Sequence, residues 1–162
     1  MIARLEKSAN RLNRWTEFAL FGLGLGMAVI VAVQVFFRYV LNYSLFWSEE
    51  LARYILVWLT FLGTSAAYYR HAHPGVDILY SRLPSSGKRV LSVIIDIISI
   101  GFFCIMVYFG CRFAYDIRLQ ISPALSLPKW IVFSVIPLSG MILVFHALTF
   151  LLRDLTGGHH DR

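Results

Sequence analysis

The sequence predicts an all-α membrane protein, and three observations support that prediction. Of its 162 residues, 58% are hydrophobic and only 15% are charged, whereas a typical soluble domain carries about 25% charged residues. The apolar residues are gathered into four long runs that suit membrane-spanning helices. Lysines and arginines are more numerous on every second flank of these runs than on the flanks between, as in multi-pass proteins. We therefore expect a single membrane domain over residues 1–162.

Four runs reach the length of a membrane span: residues 18–37, 48–69, 90–111 and 130–152. An α-helix rises about 1.5 Å per residue, so about twenty residues cross a hydrocarbon core of about 30 Å. The second run reaches this length only if its helix begins near Ser48. The fourth contains Pro137, which removes a backbone hydrogen bond and should kink the helix.

The basic residues around the spans predict the orientation. The N-terminus, the second connection and the C-terminus together carry ten lysines and arginines, against five on the opposite side. The positive-inside rule then places both termini in the cytoplasm. Because topology explains the net charge of +6, we do not expect nucleic acid as a partner.

Short amphipathic helices are expected at the cytoplasmic surface. Residues 1–16 repeat four basic side chains at helical spacing, namely Arg4, Lys7, Arg11 and Arg14. Such a segment suits either a helix lying on an anionic leaflet or a frayed tail whose charges fix topology. Residues 76–83 form a second apolar stripe at helical spacing. Trp130 suits the headgroup level at the start of the fourth span, so phospholipid is an expected contact.

The densest group of polar residues lies between the first two spans. Ser48 suits a helix cap, and the two carboxylates that follow it complement the positive end of a helix. Arg53 lies three and four residues beyond these glutamates, so we expect it to pair with one of them. The spacing fits either a capped helix start or a polar hook for a partner subunit. The candidates for such an interface are Arg38, Trp47, Ser48, Glu49, Glu50, Arg53 and Gly63.

Gly63 belongs to a stripe of small residues on the second span, together with Thr60, Thr64 and Ala67. Small residues at helical spacing let another helix approach closely, so this stripe predicts a helix-packing face.

Two further polar residues lie inside predicted spans. Asp96 is the acidic residue of the third span, where a carboxylate serves either ion coupling or a polar packing contact. His146 lies deep in the fourth span, but no other span holds a histidine at that depth, which argues against haem. The sequence offers no nucleophile–base pair, phosphate loop or metal-ligand set, so we expect neither an enzyme nor a cofactor.

The chain resembles the small membrane subunit, DctQ-like, of TRAP (tripartite ATP-independent periplasmic) transporters. The resemblance covers about residues 15–152 and rests on several short motifs. These are Phe37-Arg38-Tyr39, the run from Trp47 to Arg53, the run from Val57 to Gly63, His73 followed by Asp77, and more weakly Ser122 to Pro128 with Pro137 beyond it.

The resemblance implies a partner and a role. In TRAP systems a periplasmic substrate-binding protein delivers an organic anion to a large membrane subunit, which moves it with sodium by an elevator motion. The small subunit would form part of the fixed scaffold in the bacterial inner membrane and bind the large subunit. The residues leave two alternatives open: a direct part in ion coupling through Asp96, or a stand-alone channel-like protein.

Overall fold

The computed structural model describes residues 2–70 and 85–156, which form five helices joined by short connections. The helices are α1 (Ile2–Tyr39), α2 (Phe46–Tyr69), α3 (Ser85–Asp116), α4 (Lys129–Phe133) and α5 (Val135–Leu155). The all-helical class is therefore confirmed. The helix predicted at residues 76–83, and the motif residues His73 and Asp77, lie outside the described residues.

The bundle is organised around α5. This helix packs most extensively against α3 and also contacts α2 and α1, whereas α1 packs mainly against α2. A core cluster joins three of the helices through Tyr68, Phe103, Leu143, Ala147 and Phe150. In it the Tyr68 and Phe103 rings meet edge to face, with centroids 5.1 Å apart. Such aromatic pairs hold neighbouring helices in one orientation as well as burying apolar area.

Three stretches of the described residues are long and apolar enough to cross a membrane: Arg4–Tyr39, Val90–Asp116 and Lys129–Leu155. The chain is thus a multi-pass membrane protein. The predicted span in α2 is not among the three. With 24 residues α2 is about 36 Å long, which suffices for a crossing, but charged residues in its first turns and hydroxyl residues later lower its hydropathy. A crossing by α2 stays a prediction.

α1 corrects the prediction for the N-terminus. It is one continuous helix of 38 residues, about 57 Å long, rather than a span preceded by a separate surface helix or a frayed tail. Ala9, Asn13 and Thr16 are buried, at the spacing of one helical face. Because this buried face runs on towards Leu20, the chain gains packing by staying helical. The four basic side chains lie exposed: Arg4, Lys7, Arg11 and Arg14.

The predicted disturbance at Pro137 is observed as a break between α4 and α5 at Ser134. Pro137 lacks the N–H that would bond to the carbonyl of Phe133. Next to the break, Trp58 of α2 donates its indole N–H to the carbonyl of Val132 at 2.9 Å. A side chain from another helix therefore supports the interrupted backbone.

Two glycines allow α3 and α5 to approach closely. A Cβ built at Gly110 of α3 would lie 2.9 Å from Cγ2 of Ile136 and 3.1 Å from the backbone nitrogen of Pro137. One built at Gly140 of α5 would lie 2.7 Å from Cγ2 of Val107. The contact of the two helices therefore requires the absence of a side chain at both positions.

We expect Gly110→Ala to lower the thermal stability of the protein in detergent, because the added methyl group meets a proline ring and a backbone atom that cannot rotate away. Overpacking of this kind costs about 1–3 kcal/mol. The matched control is Gly101→Ala on the same helix, where a Cβ has open space. Size-exclusion profiles after heating measure both variants, and equal melting temperatures would contradict this account of the helix contact.

A clamped loop and the candidate partner interface

The two connections 40–45 and 117–128 lie at one end of the bundle, here called the loop end. There the carboxylate of Glu50 is buried, with 6% of the residue exposed. Its Oε2 accepts hydrogen bonds from the amide N–H groups of Ala124 at 2.8 Å and Leu125 at 3.2 Å. Its Oε1 accepts one from the hydroxyl of Tyr54. We call this set of contacts the Glu50 clamp, since it fastens the connection 117–128 to α2.

The clamped connection is also closed by its own backbone. The amide of Ser122 donates to the carbonyl of Leu127 at 2.9 Å, and the amide of Lys129 donates to that of Gln120 at 2.9 Å. Ser126 takes a positive φ of 54°, which lets the chain reverse. The segment that resembled a family motif in sequence is therefore a compact, hydrogen-bonded turn.

Ser48 does not cap α2 as predicted. The helix begins two residues earlier, at Phe46, and its N-cap Leu45 offers no side-chain hydrogen bond. Ser48 therefore lies inside the first turn, where its buried hydroxyl donates to the carbonyl of Leu45 at 2.7 Å.

The expected ion pair of Arg53 is also wrong. The Glu50 carboxylate accepts hydrogen bonds from the loop amides, and Glu49 accepts a hydrogen bond from Gln34 of α1 at 3.2 Å. Arg53 is exposed, and an exposed ion pair would contribute only about 0–1 kcal/mol. The Glu50 carboxylate is therefore better stabilised by the two amide N–H groups than by an ion pair with Arg53. Ion pairs that the structure does show are Arg70–Glu17 and Arg153–Asp154.

The remaining candidates divide between the surface and the interior. Four of them lie exposed at the loop end: Arg38, Trp47, Glu49 and Arg53. Trp130 is also exposed there, at 45%. Gly63 instead faces α1, since a Cβ there would lie 4.0 Å from Leu20.

The rest of the small-residue stripe on α2 is not packed within the chain. Thr60, Thr64 and Ala67 are exposed. The two threonine hydroxyls donate to carbonyls of their own helix, each at 2.9 Å. The predicted packing face is therefore open, and its hydroxyl groups need no outside partner.

Polar contacts also join the helices at the opposite end, where α1 begins and α5 ends. Glu17, immediately before the apolar run of α1, accepts from the Arg70 guanidinium at 2.7 Å and from Asn13 at 2.8 Å. Both side chains are exposed, at 67% and 36%, so this ion pair contributes only about 0–1 kcal/mol. The contact ties α1 to the end of α2.

Asp96 and His146 are both buried, but in different surroundings. Asp96 lies one turn from Ser92, whose hydroxyl donates to the carboxylate of Asp154 on α5. His146 packs against the ring of Tyr69, with centroids 4.8 Å apart. The structure thus places Asp96 beside a polar α3–α5 contact and His146 in aromatic packing.

The chain also matches a known family over most of its length. Residues 27–157 match the model of a family described as "Tripartite ATP-independent periplasmic transporters, DctQ component". The chain belongs to the DctQ family.

Individual DctQ-type relatives align over most of the chain. The sialic acid TRAP transporter small permease protein SiaQ of Vibrio cholerae is 30% identical over 143 residues, covering 85% of this chain and 79% of SiaQ. The ectoine TRAP transporter small permease protein TeaB of Halomonas elongata is 28% identical, covering 86% and 74%. The isethionate TRAP transporter permease protein DctMQ of Oleidesulfovibrio alaskensis is 28% identical over 82% of this chain but only 22% of DctMQ.

Membership of the DctQ family makes the chain a membrane component of a transporter. Sequence reasoning missed three of the contacts that shape it: the Glu50 clamp, the Trp58–Val132 hydrogen bond and the Ser92–Asp154 contact. Each joins residues more than sixty positions apart, so local spacing carries no signal for them.

We expect Glu50→Gln to loosen the connection 117–128, because a neutral amide is a weaker acceptor for two N–H groups than a carboxylate. Hydrogen exchange of the Ala124 and Leu125 amides should accelerate. Glu49→Gln is the matched control, since Glu49 is exposed and accepts its hydrogen bond from Gln34 of α1 rather than from the connection 117–128. Unchanged exchange in Glu50→Gln would show that the clamp does not hold the connection.

Proposed function

We propose that this chain is the small, fixed subunit of a TRAP transporter. It holds a large elevator-type membrane subunit in place during sodium-coupled uptake of organic acids, such as C4-dicarboxylates or other carboxylates, that a periplasmic binding protein delivers. It lies in the bacterial inner membrane with both termini in the cytoplasm, and it acts as a scaffold rather than as an enzyme. DctQ membership supports the transporter role, and the resemblance of the short motifs suggests the elevator partner and the coupling ion.

A larger membrane partner is supported by the DctMQ relative. This chain aligns with only 22% of that permease protein, so most of DctMQ consists of further sequence. A transporter that joins a DctQ-like portion to a much longer one in a single chain supports their association when they are separate.

The observation that carries the proposal is the uncovered surface of α1. None of the residues in the most apolar 18-residue window of this helix is buried. Cβ atoms built at Gly22 and Gly26 would meet nothing within 4 Å, so a close-approach surface for another helix is open. A membrane helix that packs on its own bundle along one face and carries open glycines on another suits a subunit that docks onto a larger one.

The loop end supplies polar contacts for the same partner. We assign this role to the exposed candidates Arg38, Trp47, Glu49 and Arg53. Ser48 and Glu50 support them from inside by fixing the first turns of α2. Gly63 serves the interface indirectly, by letting α1 lie close to α2. Phospholipid is the proposed contact of the basic N-terminal side chains and of Trp130.

The open α1 surface is tested by the double variant Gly22→Leu/Gly26→Leu. Because a Cβ at either position meets nothing within 4 Å among the described residues, we expect normal folding but a several-fold loss of the large subunit in pull-downs from native membranes. Gly101→Leu, at an equally open position on α3, should retain the partner.

Proteoliposomes complete this test. The purified chain alone should transport no substrate, and the chain with its large subunit and binding protein should. Transport or conductance by the chain alone would overturn the scaffold proposal.

Asp96 supports a second candidate, a direct part in ion coupling, because it is a carboxylate buried within α3. We favour a packing role, since Asp96 lies one turn from the Ser92–Asp154 contact that joins α3 to α5. We expect Asp96→Asn to lower the melting temperature and the recovery of the complex, while transport by the recovered complex keeps its sodium dependence. An intact complex with lost uptake would instead establish coupling through Asp96.

A further inference from the structure

The connection 117–128 carries an unusual set of exposed apolar side chains. Leu119 is 83% exposed, the highest value for a large hydrophobic residue in the described part of the chain, and Ile121 is 63% exposed. The closed backbone and the Glu50 clamp fix this connection, so it cannot turn these side chains inward. The fold therefore holds these side chains on the surface, and we expect an apolar environment to cover them.

The surroundings of these side chains identify the chemistry of what covers them. Arg118 lies over the ring of Tyr115, 3.8 Å from its centroid, and donates to the Tyr115 carbonyl at 3.0 Å. Lys129 reaches Gln120 with a 3.3 Å hydrogen bond. Residues 117–134 contain two cations and no carboxylate. Asp116 and the clamped Glu50 lie nearby, but neither Arg118 nor Lys129 forms an ion pair with a described carboxylate. Apolar side chains beside such cations match phospholipid, whose phosphate lies directly above its acyl chains.

The position of the connection supports the same occupant. It begins where the apolar helix α3 ends and finishes where α4 begins, and these helices belong to two of the membrane-length stretches. Tyr115 and Trp130 bracket it, and both are exposed, as expected for aromatic residues at a membrane surface. The exposed apolar side chains are thus continuous with the lipid-facing surface of the bundle.

We propose that the connection 117–128 is a membrane-interface anchor. Leu119 and Ile121 enter the boundary between headgroups and acyl chains, and Arg118 and Lys129 bind the phosphate groups of phospholipids. The Glu50 clamp keeps the anchor at one height relative to α2. The anchor therefore sets the depth of the chain in the bilayer. This inference does not depend on the partner or on the transported substrate.

The test measures the depth of a fluorescent label. Leu119→Cys is made in a Cys104→Ala/Cys111→Ala background and labelled with a polarity-sensitive dye. The full chain is reconstituted in vesicles of phosphatidylethanolamine and phosphatidylglycerol, with and without lipids that carry a nitroxide near the headgroup. We expect blue-shifted emission and several-fold stronger nitroxide quenching than for Gln120→Cys, the neighbouring polar position that contacts Lys129. Ile121→Cys should repeat the Leu119 result, which guards against one poorly folded variant.

The clamp is tested in the same experiment. Adding Glu50→Gln to Leu119→Cys should reduce the nitroxide quenching, because the anchor loses its fixed height. Labels at Leu119 and Ile121 that aqueous iodide quenches and nitroxide lipids do not would overturn the proposal. Protection from iodide that appears only with the large subunit, without nitroxide quenching, would also overturn it and assign this surface to a protein contact.

Discussion

The carboxylate of Glu50 determines the arrangement of the loop end. In a chain this apolar, a buried carboxylate must find its hydrogen-bond donors within the protein, and it finds them in the backbone of a connection 74 residues away. That requirement orders the connection 117–128 and fixes the start of α2, while the neighbouring Glu49 and Arg53 remain exposed at the surface. Similar contacts close the other end, where Arg70 meets Glu17 and Ser92 meets Asp154. Between the two ends, threonine hydroxyls bond to their own helices.

With polar contacts at both ends, the helix bundle is expected to behave as a rigid unit. α3 and α5 meet at two glycines with no room for a side chain, and α5 also packs against α2 and α1. α1 is the exception, since it contacts the bundle along one face and leaves its apolar window bare. A stiff unit with one open helix face fits the proposed role as a scaffold for a larger subunit.

Hydropathy was sufficient for the helical class and for three of the four predicted membrane-length stretches, and Pro137 was sufficient for the break near it, because these depend on local sequence. The orientation drawn from charge asymmetry stays a prediction. Short motifs around Trp47 were sufficient for the family, because their residues are contiguous in the sequence. The roles of Ser48, Glu50 and Arg53 could not be reached in the same way. Their spacing permits a cap and an ion pair, but amide donors from a distant connection compete for the same carboxylate. The continuity of α1 depends likewise on packing of Ala9 and Asn13.

The continuity of α1 gives the chain a mechanical property. Residues 2–17 extend the apolar stretch by about 24 Å as part of the same rod. A continuous helix converts rotation inside the bilayer into translation at its tip: a change in tilt of about 10° displaces the tip by about 4 Å. The basic side chains of residues 2–17 would therefore move with the first span, so that small changes in its tilt alter which lipid headgroups they reach.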